Sequence, residues 1–326
     1  MNIRKYSYAI VFALVALCAC KKDDDGGDVV TVPPRDRGEQ QQTDDAMLQE
    51  YLKTHFYKVE KVFLDNDTVA EYEIAKLDTI AGDNSAEMPI IESNLLTTKK
   101  ITRDGVEYKL YVLKLNEGAG SHKPTYADST LVTYRGELLY NDDALFDSAI
   151  TYHWFDQASP SGAVIEGWRE ALIDFRGASG VKKISNDGIP LYENDYGHAV
   201  LFIPSGLGYF NRTQPGIPAY SPLIFNIQLF DVNQSDHDAD GIPSYLEDLD
   251  GDRLVLDADD DTDENLSPNY VDNDDDGDGV LTRDEITSVD VNEDGVITLD
   301  EITFYDDDGD GIKNHLDFDD REKKND

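Results

Sequence analysis

A spaced pattern of acidic residues and glycine recurs four times in the C-terminal part of the chain. The copies span residues 236–247, 274–285, 290–301 and 306–317. Each has Asp at position 1, Asp or Asn at positions 3 and 5, Gly at position 6 and an acid at position 12. The glycine turns the chain so that the three preceding side chains point inward, and the last acid closes the ring. The pattern therefore predicts a series of cation-binding loops.

The side chains in these rings offer oxygen ligands and no Cys or His. Hard oxygen donors favour Ca²⁺ over zinc or copper. The candidate ligands stand at positions 1, 3, 5 and 12 of the four loops: Asp236, Asp238, Asp240, Glu247, Asp274, Asp276, Asp278, Glu285, Asp290, Asn292, Asp294, Glu301, Asp306, Asp308, Asp310 and Asp317.

Each loop matches the EF-hand loop pattern, but the spaces between loops are too short for full helix pairs. The tail more closely resembles the calcium repeats of dockerins and thrombospondin type-3 modules. We expect a further, irregular site within residues 248–264. Extracellular modules of this kind bind Ca²⁺ at about 10⁻⁴–10⁻³ M, so a structural role is expected. The alternative is a solvated acidic tail that binds no metal.

The negative charge is unevenly distributed along the chain. Residues 234–326 hold 34 of the 68 acidic residues but 6 of the 28 Lys and Arg residues, and the chain has a net charge of −40. The chain therefore joins a moderately acidic N-terminal part to a strongly acidic tail. Neither part is basic, which argues against a nucleic-acid partner.

The first 20 residues have two basic residues followed by a short apolar run at 9–17. That run is too short to cross a bilayer and predicts a cleaved signal peptide. It ends in LCAC (17–20), which resembles a bacterial lipobox with Cys20 as the lipidated residue. The next residues, KKDDDGGD, resemble the surface-export signal of Bacteroidota lipoproteins. We therefore predict a membrane-anchored lipoprotein of the outer membrane, on its periplasmic or cell-surface side. The alternative is an ordinary secretory signal.

Alternating apolar residues predict strands at 106–115, 130–139 and 223–232, and a nearly all-apolar run predicts a fourth strand at 198–205. One amphipathic helix begins near Ile165 among them. Several antiparallel strands and one helix predict an α+β domain whose curled sheet wraps over the helix.

The predicted organisation has five parts: a signal peptide at 1–20, a flexible tether at 21–45, an N-terminal extension of unknown role at 46–99, the α+β domain at 100–233 and the acidic repeats at 234–326. A short helix is expected at 46–54.

The order of six short strings within the α+β domain is its most specific feature. They are GAG…P (118–124), VTYRG (132–136), LFDSA (145–149), VIEGWREAL (164–172), FIPSGLGY (202–209) and PGIPAYSPLIFNIQLFDV (215–232). Each string alone is weak, but in this order the series resembles the FKBP-type peptidyl-prolyl isomerases over residues 100–232.

The resemblance implies one pocket lined by Tyr134, Phe146, Asp147, Val164, Ile165, Trp168, Tyr209, Ile217 and Phe225. In this family the Trp forms the pocket floor, and the Ile N–H and Tyr hydroxyl point toward the ligand's carbonyls. It therefore assigns catalytic roles to Asp147, Tyr209, Ile165 and Trp168, and substrate binding to the other five. Either Trp154 or Phe155 is expected to supply another wall. The alternative for each aromatic is simple core packing, and for Asp147 a surface strand end.

Three departures from the family pattern lie near the pocket rim. An insertion is predicted at 176–197, with a turn at 186–188. Phe210 stands where Gly commonly follows the Tyr, and residues 211–216 lack the His of some members. These changes put substrate preference and activity in question.

The resemblance implies rotation about X–Pro bonds, against a barrier of about 18–20 kcal/mol. The reaction needs neither a nucleophile nor a cofactor. The predicted function is therefore isomerisation of proline-containing exported or surface proteins. One alternative is a non-catalytic FKBP-like peptide-binding module or chaperone in a cell-surface complex. Another is a calcium-dependent adhesin or spacer.

Overall fold

The computed structural model describes residues 33–63, 71–140, 144–160 and 162–324. The predicted signal peptide, Cys20 and residues 21–32 of the predicted tether lie outside these ranges. The chain divides into the units Met1–Pro34 and Arg35–Asp326, and the elements described here belong to the second. Within the described ranges, no helix is both long enough and apolar enough to cross a membrane.

The described elements include three α-helices and twelve strands. In chain order they are α1 (Arg37–Thr54), β1 (His55–Phe63), β2 (Glu71–Thr79), β3 (Leu96–Arg103), β4 (Val106–Asn116), β5 (Ser129–Leu138), β6 (Leu145–Asp156), α2 (Glu166–Leu172), β7 (Val181–Ile184), β8 (Pro190–Tyr192), β9 (Gly197–Ile203), β10 (Leu223–Asn233), α3 (Thr282–Glu285), β11 (Ile286–Ser288) and β12 (Ile302–Phe304).

The central sheet has six strands in the order β3-β4-β9-β10-β5-β6, and every pairing is antiparallel. Register shifts interrupt the β5–β6 pairing between Val132 and Tyr134 and again after Gly136. Such bulges bend a strand and increase its twist, which curls this edge of the sheet. The mixed helix and antiparallel-sheet fold predicted from the sequence is confirmed.

Both faces of the central sheet are covered. One face packs against α2 through a core that includes Trp168, Leu172 and Phe175. The other face packs against α1 and the β1–β2 hairpin, with Leu48 and Leu52 fully buried. Each fully buried Leu contributes about 1.5–3 kcal/mol. The N-terminal extension, whose role the sequence left open, therefore covers the second face of the sheet.

Helix α1 begins at Arg37, and the prediction of a tether to residue 45 and a helix from 46 was wrong at this boundary. The side chain of Asp36 caps the helix by accepting a hydrogen bond from the Glu39 N–H at 2.9 Å. The missed first turns bury polar side chains, among them Asp44. Its carboxylate accepts bonds from the Ser205 N–H (2.8 Å) and hydroxyl (2.6 Å). Because these buried residues are polar, apolar periodicity could not reveal the start of the helix.

The predicted insertion at 176–197 forms a small hairpin of β7 and β8. Its turn lies at the predicted position, where the Gly188 N–H donates to the Ser185 carbonyl at 3.1 Å. Gly188 has a φ of +81°, in the left-handed region that glycine tolerates best.

The acidic tail is irregular, with one short β11–β12 pairing and several single turns. It docks on the α+β domain through a small apolar cluster that includes Ala127, Val255 and Tyr270. The Tyr126 hydroxyl donates to Asp248 of the tail at 2.6 Å. The tail and the domain are therefore packed together within one compact unit.

Candidate functional site

An aromatic cavity of about 370 Å³ lies between the curled edge of the sheet and the start of α2. It is lined by Tyr134, Phe146, Asp147, Phe155, Gly162, Ala163, Val164, Ile165, Trp168, Tyr209, Gln214, Pro215, Ile217 and Phe225. The structure thus brings all nine predicted pocket residues around one space. Their catalytic and binding roles stay predictions.

The indole of Trp168 is the best-packed part of this pocket. The residue is 3% exposed, and its ring centroid lies 5.2 Å from Phe225, 5.3 Å from Tyr134 and 5.4 Å from Phe155. The three contacts are edge-to-face, which aromatic pairs favour. The Trp168 Nε1 donates to no acceptor among the described residues. Trp168 therefore holds three walls of the pocket in place.

A glycine in β5 allows two of the walls to approach each other. Gly136 pairs with Phe225 on one side and with Asp147 on the other. A Cβ at this position would lie 2.7 Å from the Phe146 ring and 2.8 Å from the Phe225 ring. Any larger residue would push apart these two rings, whose centroids are 5.4 Å apart.

Asp147 lies exposed at the rim of the pocket. Its Oδ2 accepts a hydrogen bond from the Tyr134 hydroxyl at 2.7 Å. Burial and this bond to the carboxylate together raise the pKa of Tyr134 above its usual value. Asp147 is therefore paired and solvated, so the cost of an unpaired buried carboxylate does not arise.

Tyr209 and Ile165 both line the aromatic cavity. Tyr209 is half-buried in the loop after β9, and its hydroxyl bonds to no other described residue. Burial, with a smaller effect from the charge of Asp147, raises the pKa of Tyr209. Ile165 caps α2, and its carbonyl accepts from the Trp168 N–H at 3.0 Å. The Tyr209 hydroxyl is thus left available to a ligand.

Phe210 has a φ of +48°, in the left-handed region that bulky residues rarely adopt. This conformation explains why glycine is common at the position. Here the Phe210 ring is held by an edge-to-face contact with Tyr220 at 5.2 Å and by the Arg37 guanidinium at 4.4 Å from its centroid. The first turn of α1 therefore supports the loop that carries Tyr209.

The additional wall aromatic is Phe155, while the side chain of Trp154 is 47% exposed. Neighbouring residues on a strand point to opposite faces, so only one of the pair could line the cavity. The sequence alone does not decide which of the two aromatics forms the wall. A separate cavity of about 530 Å³, between the β1–β2 hairpin and the sheet, shares no lining residue with the aromatic pocket.

Four groups of acids in the tail have carboxylate oxygens within 4.8 Å of one another, among the described residues. They are Asp238/Asp240/Glu247/Asp275, Asp248/Asp250/Asp260, Asp274/Asp276/Asp278 and Asp306/Asp308/Asp310. Three contain predicted loop residues, and one lies in the segment where an irregular site was expected. The groups do not include six predicted acidic ligands: Asp236, Glu285, Asp290, Asp294, Glu301 and Asp317.

The first group is the most deeply buried, and it contains an acid that the sequence analysis missed. Asp275 comes from position 2 of the second loop, whose side chain the pattern does not direct toward its own ring. Both carboxylate oxygens of Asp275 and of Glu247 are buried without a hydrogen-bond partner in the described part of the chain. Burial, and then neighbouring carboxylates, raise the pKa of Asp275 to about 10 and of Asp238 to about 8. Such oxygens fit a hard cation.

The 290–301 loop does not gather its predicted ligands, because Glu301 is engaged elsewhere. Its Oε1 accepts from the Val291 N–H at 3.0 Å, and its Oε2 accepts from the Thr298 N–H at 3.0 Å. This is a capping box at the start of a helical turn. Asn292 accepts from the Asp294 N–H at 2.9 Å.

The fourth loop also departs from the prediction at position 12. Asp317 accepts from the Asp319 N–H at 3.0 Å. Asp320 instead reaches the loop and accepts from the Asp308 N–H at 3.2 Å. Neither Asp317 nor Asp320 belongs to the group of carboxylates gathered in this loop.

Comparison with known proteins supports the resemblance to FKBP-type isomerases. The chain is 26% identical over 162 residues to FKBP-type peptidyl-prolyl cis-trans isomerase FkpA of Escherichia coli K12 and of strain O157:H7. The matched region covers 48% of this chain and 50% of FkpA, so the chain spans about half the length of these relatives. A family model described as BamM C-terminal matches residues 237–299 of the acidic tail.

Two solved structures also match part of the chain. A peptidyl-prolyl cis-trans isomerase from Pseudomonas syringae pv. tomato DC3000 is 26% identical, covering 44% of this chain and 84% of that one, with a TM-score of 0.31. FkpA from Escherichia coli is 26% identical, covering 43% and 53%, with a TM-score of 0.31.

Proposed function

We propose that this protein is a peptidyl-prolyl cis-trans isomerase of the FKBP type that acts on exported or surface proteins. The observation that carries the proposal is the convergence of nine residues, from separate strings of the sequence, on one aromatic cavity. The similarity to FkpA supports the same reaction.

The cavity has the chemistry that amide rotation requires. Rotation about the X–Pro bond breaks amide resonance, and the twisted amide is less dipolar than the planar one. Aromatic walls exclude water around the proline and so disfavour the planar state. The Tyr209 hydroxyl is placed to donate to a peptide carbonyl. No proton has to be removed and no cofactor is required.

We predict that Tyr209→Phe lowers kcat/KM for proline peptides by about 2- to 10-fold, because one neutral hydrogen bond contributes about 0.5–1.5 kcal/mol. Protease-coupled isomerisation of short peptides measures this effect. Tyr192→Phe is the matched control, since its hydroxyl donates to Asp231 at 2.9 Å in the β7–β8 region. It is expected to keep wild-type kcat/KM.

The non-catalytic alternative rests on the strained Phe210 beside Tyr209, where the family pattern is altered. If the wild-type protein does not accelerate isomerisation with any of several residues before proline, but binds the same peptides, the chain is a peptide-binding module or chaperone. Equal activity of the Tyr209 variant and wild type would remove Tyr209 from the mechanism.

We further propose that the acidic groups of the tail hold structural Ca²⁺. The support is the set of buried carboxylate oxygens without donors in the group around Glu247 and Asp275. The residues that would hold the ions are the four groups above, with Asp236 and Glu285 close by. Beyond the effect of burial, the charge of Asp236 raises the pKa of Asp238, and the charge of Asp276 raises the pKa of Glu285.

The proposed location is the outer membrane, with a lipid on Cys20 as the anchor. We predict that Cys20→Ser moves most of the protein from the membrane fraction to the soluble fraction, because one lipid-bearing residue carries the anchor. Cys18→Ser is the control and should stay in the membrane fraction. Retention of the Cys20 variant after alkaline washing would contradict the lipid anchor.

A further inference from the structure

A second cavity, of about 480 Å³, adjoins the aromatic pocket. The two share five lining residues, including Ile165 and Tyr209. The second cavity differs in its charge, because it is lined by four arginines from separate parts of the chain: Arg37, Arg103, Arg169 and Arg212. A cluster of arginines is unusual in a chain whose net charge is −40.

Two of the four arginines are paired with acids at the cavity. Arg37 of α1 forms an ion pair with Asp104 at 3.0 Å. Arg103 pairs with Glu166 at the start of α2. These pairs account for both acidic residues that line the cavity.

Arg169 is 4% exposed and forms no close ion pair with the described residues. The charges of Glu166 and Glu170 act on it from a longer distance. Its guanidinium donates to no other described residue, and its Nε is buried without an acceptor. The nearby carboxylate of Glu170 is held instead by Arg253 at 3.1 Å and Lys99 at 3.6 Å. A buried cation without a hydrogen-bonded anion is costly. A negative group bound in the cavity would therefore be stabilised by Arg169.

Arg212 adds a second unpaired cation at the mouth of the cavity. It is exposed in the loop after Tyr209, and its side chain forms no ion pair with the described residues. Its charge acts on the Tyr209 hydroxyl. Arg212 therefore lies on the same loop as Tyr209, which lines the aromatic pocket.

We propose that the second cavity is a carboxylate subsite, which selects substrate peptides that carry an acidic group next to the proline. This inference rests on the proposed isomerase function. With proline in the aromatic pocket, the chain would pass the shared residues Ile165 and Tyr209. One residue advances an extended chain by about 3.3–3.6 Å, so an acid directly beside the proline reaches the adjoining cavity. Arginine suits this role because its planar fork binds carboxylates through two hydrogen bonds.

The carboxylate can come from an acidic side chain or from a chain terminus. The test uses four matched pairs of proline peptides on the full-length protein. Glu is compared with Gln directly before proline and directly after it, each with a free or an amidated C-terminus. We expect the favoured Glu peptide to show about 10-fold higher kcat/KM and tighter binding than its Gln partner. The preference should weaken as ionic strength rises. A preference that follows only the free C-terminus identifies the terminal carboxylate as the ligand.

Arg212→Gln tests the cavity itself, because an exposed side chain can be changed without disturbing the fold. Within this variant the Glu-to-Gln ratio should fall from about 10 to about 2 or less. The matched control is Arg283→Gln, an exposed arginine of the tail, which removes the same charge and should keep the wild-type ratio.

The outcomes separate this inference from the proposed function. Equal isomerisation of all paired peptides by the wild type overturns the subsite and leaves the isomerase intact. If no peptide is isomerised, the isomerase proposal fails, but peptide dissociation constants still test the subsite. Equal affinity for charged and neutral peptides then overturns it, and so does an unchanged ratio in the Arg212 variant.

Discussion

Chelation of calcium is expected to unfold the acidic tail of the full chain and to lower its Tm by about 10–20 °C. A ligand at 10 times its Kd contributes about 1.4 kcal/mol per site, or about 6 kcal/mol over four sites, and 1 kcal/mol shifts Tm by about 2–4 °C in a domain of 150–250 residues. Two like charges 4 Å apart oppose each other by about 4 kcal/mol at an effective dielectric of 20. Without a cation, the buried group around Glu247 and Asp275 cannot remain ionised and compact.

The measurements are calorimetry of Ca²⁺ binding and the hydrodynamic radius with and without chelator. Glu247→Gln should remove much of the calcium-dependent gain in Tm. Glu301→Gln is the matched control, because that side chain caps a turn and lies outside the gathered groups. If no binding heat appears at several millimolar Ca²⁺ and the radius does not change, the acids form a solvated tail without metal.

Loss of the tail should also affect the α+β domain. The apolar cluster of Ala127, Val255 and Tyr270 joins the two, and Arg253 of the tail pairs with buried Glu170 of α2. Unfolding of the tail would expose this surface and leave Glu170 with one fewer cation. The calcium effect on Tm is therefore expected in the main unfolding transition as well as in the tail.

Trp168→Ala is expected to abolish measurable isomerisation and to lower the free energy of unfolding by about 3–5 kcal/mol. The substitution removes a ring that contacts Tyr134, Phe155 and Phe225 at centroid distances of 5.2–5.4 Å. Both losses follow from one buried side chain, so a second variant is needed to separate activity from stability.

Phe175→Ala supplies that separation. Phe175 is 1% exposed in the same core, but it does not line the aromatic pocket. The Phe175→Ala variant should lose a similar free energy of unfolding to the Trp168→Ala variant. It should keep the wild-type kcat/KM at temperatures where both variants are folded. Urea unfolding and peptide isomerisation measure the two quantities. Equal loss of activity in both variants would show that Trp168 acts through stability alone.

The local patterns of the sequence were sufficient for the strands and for the pocket residues. Apolar alternation along β4 and β10 predicts the strands, although both faces of the sheet are covered and β10 is buried along nearly its whole length. The six ordered strings, through their resemblance to FKBP-type isomerases, predict which side chains share a cavity. The same alternation cannot distinguish Trp154 from Phe155, because register at a bulged edge depends on the partner strand. It also could not reveal the start of α1, where buried Asp44 is satisfied by Ser205, 161 residues away.

The sequence by itself predicted the α+β fold and the acidic loop segments, because each leaves a short-range pattern of spacing, and its resemblance to FKBP-type isomerases supplied the nine pocket residues. Only the tertiary structure decided which oxygens come together. It paired Asp275 with acids of another loop and engaged Glu301 in a cap. It also placed Arg169, whose Nε has no hydrogen-bond acceptor among the described residues, in the cavity beside the aromatic pocket. Such groupings depend on distances between segments far apart in the chain, and these distances are set by packing rather than by local sequence.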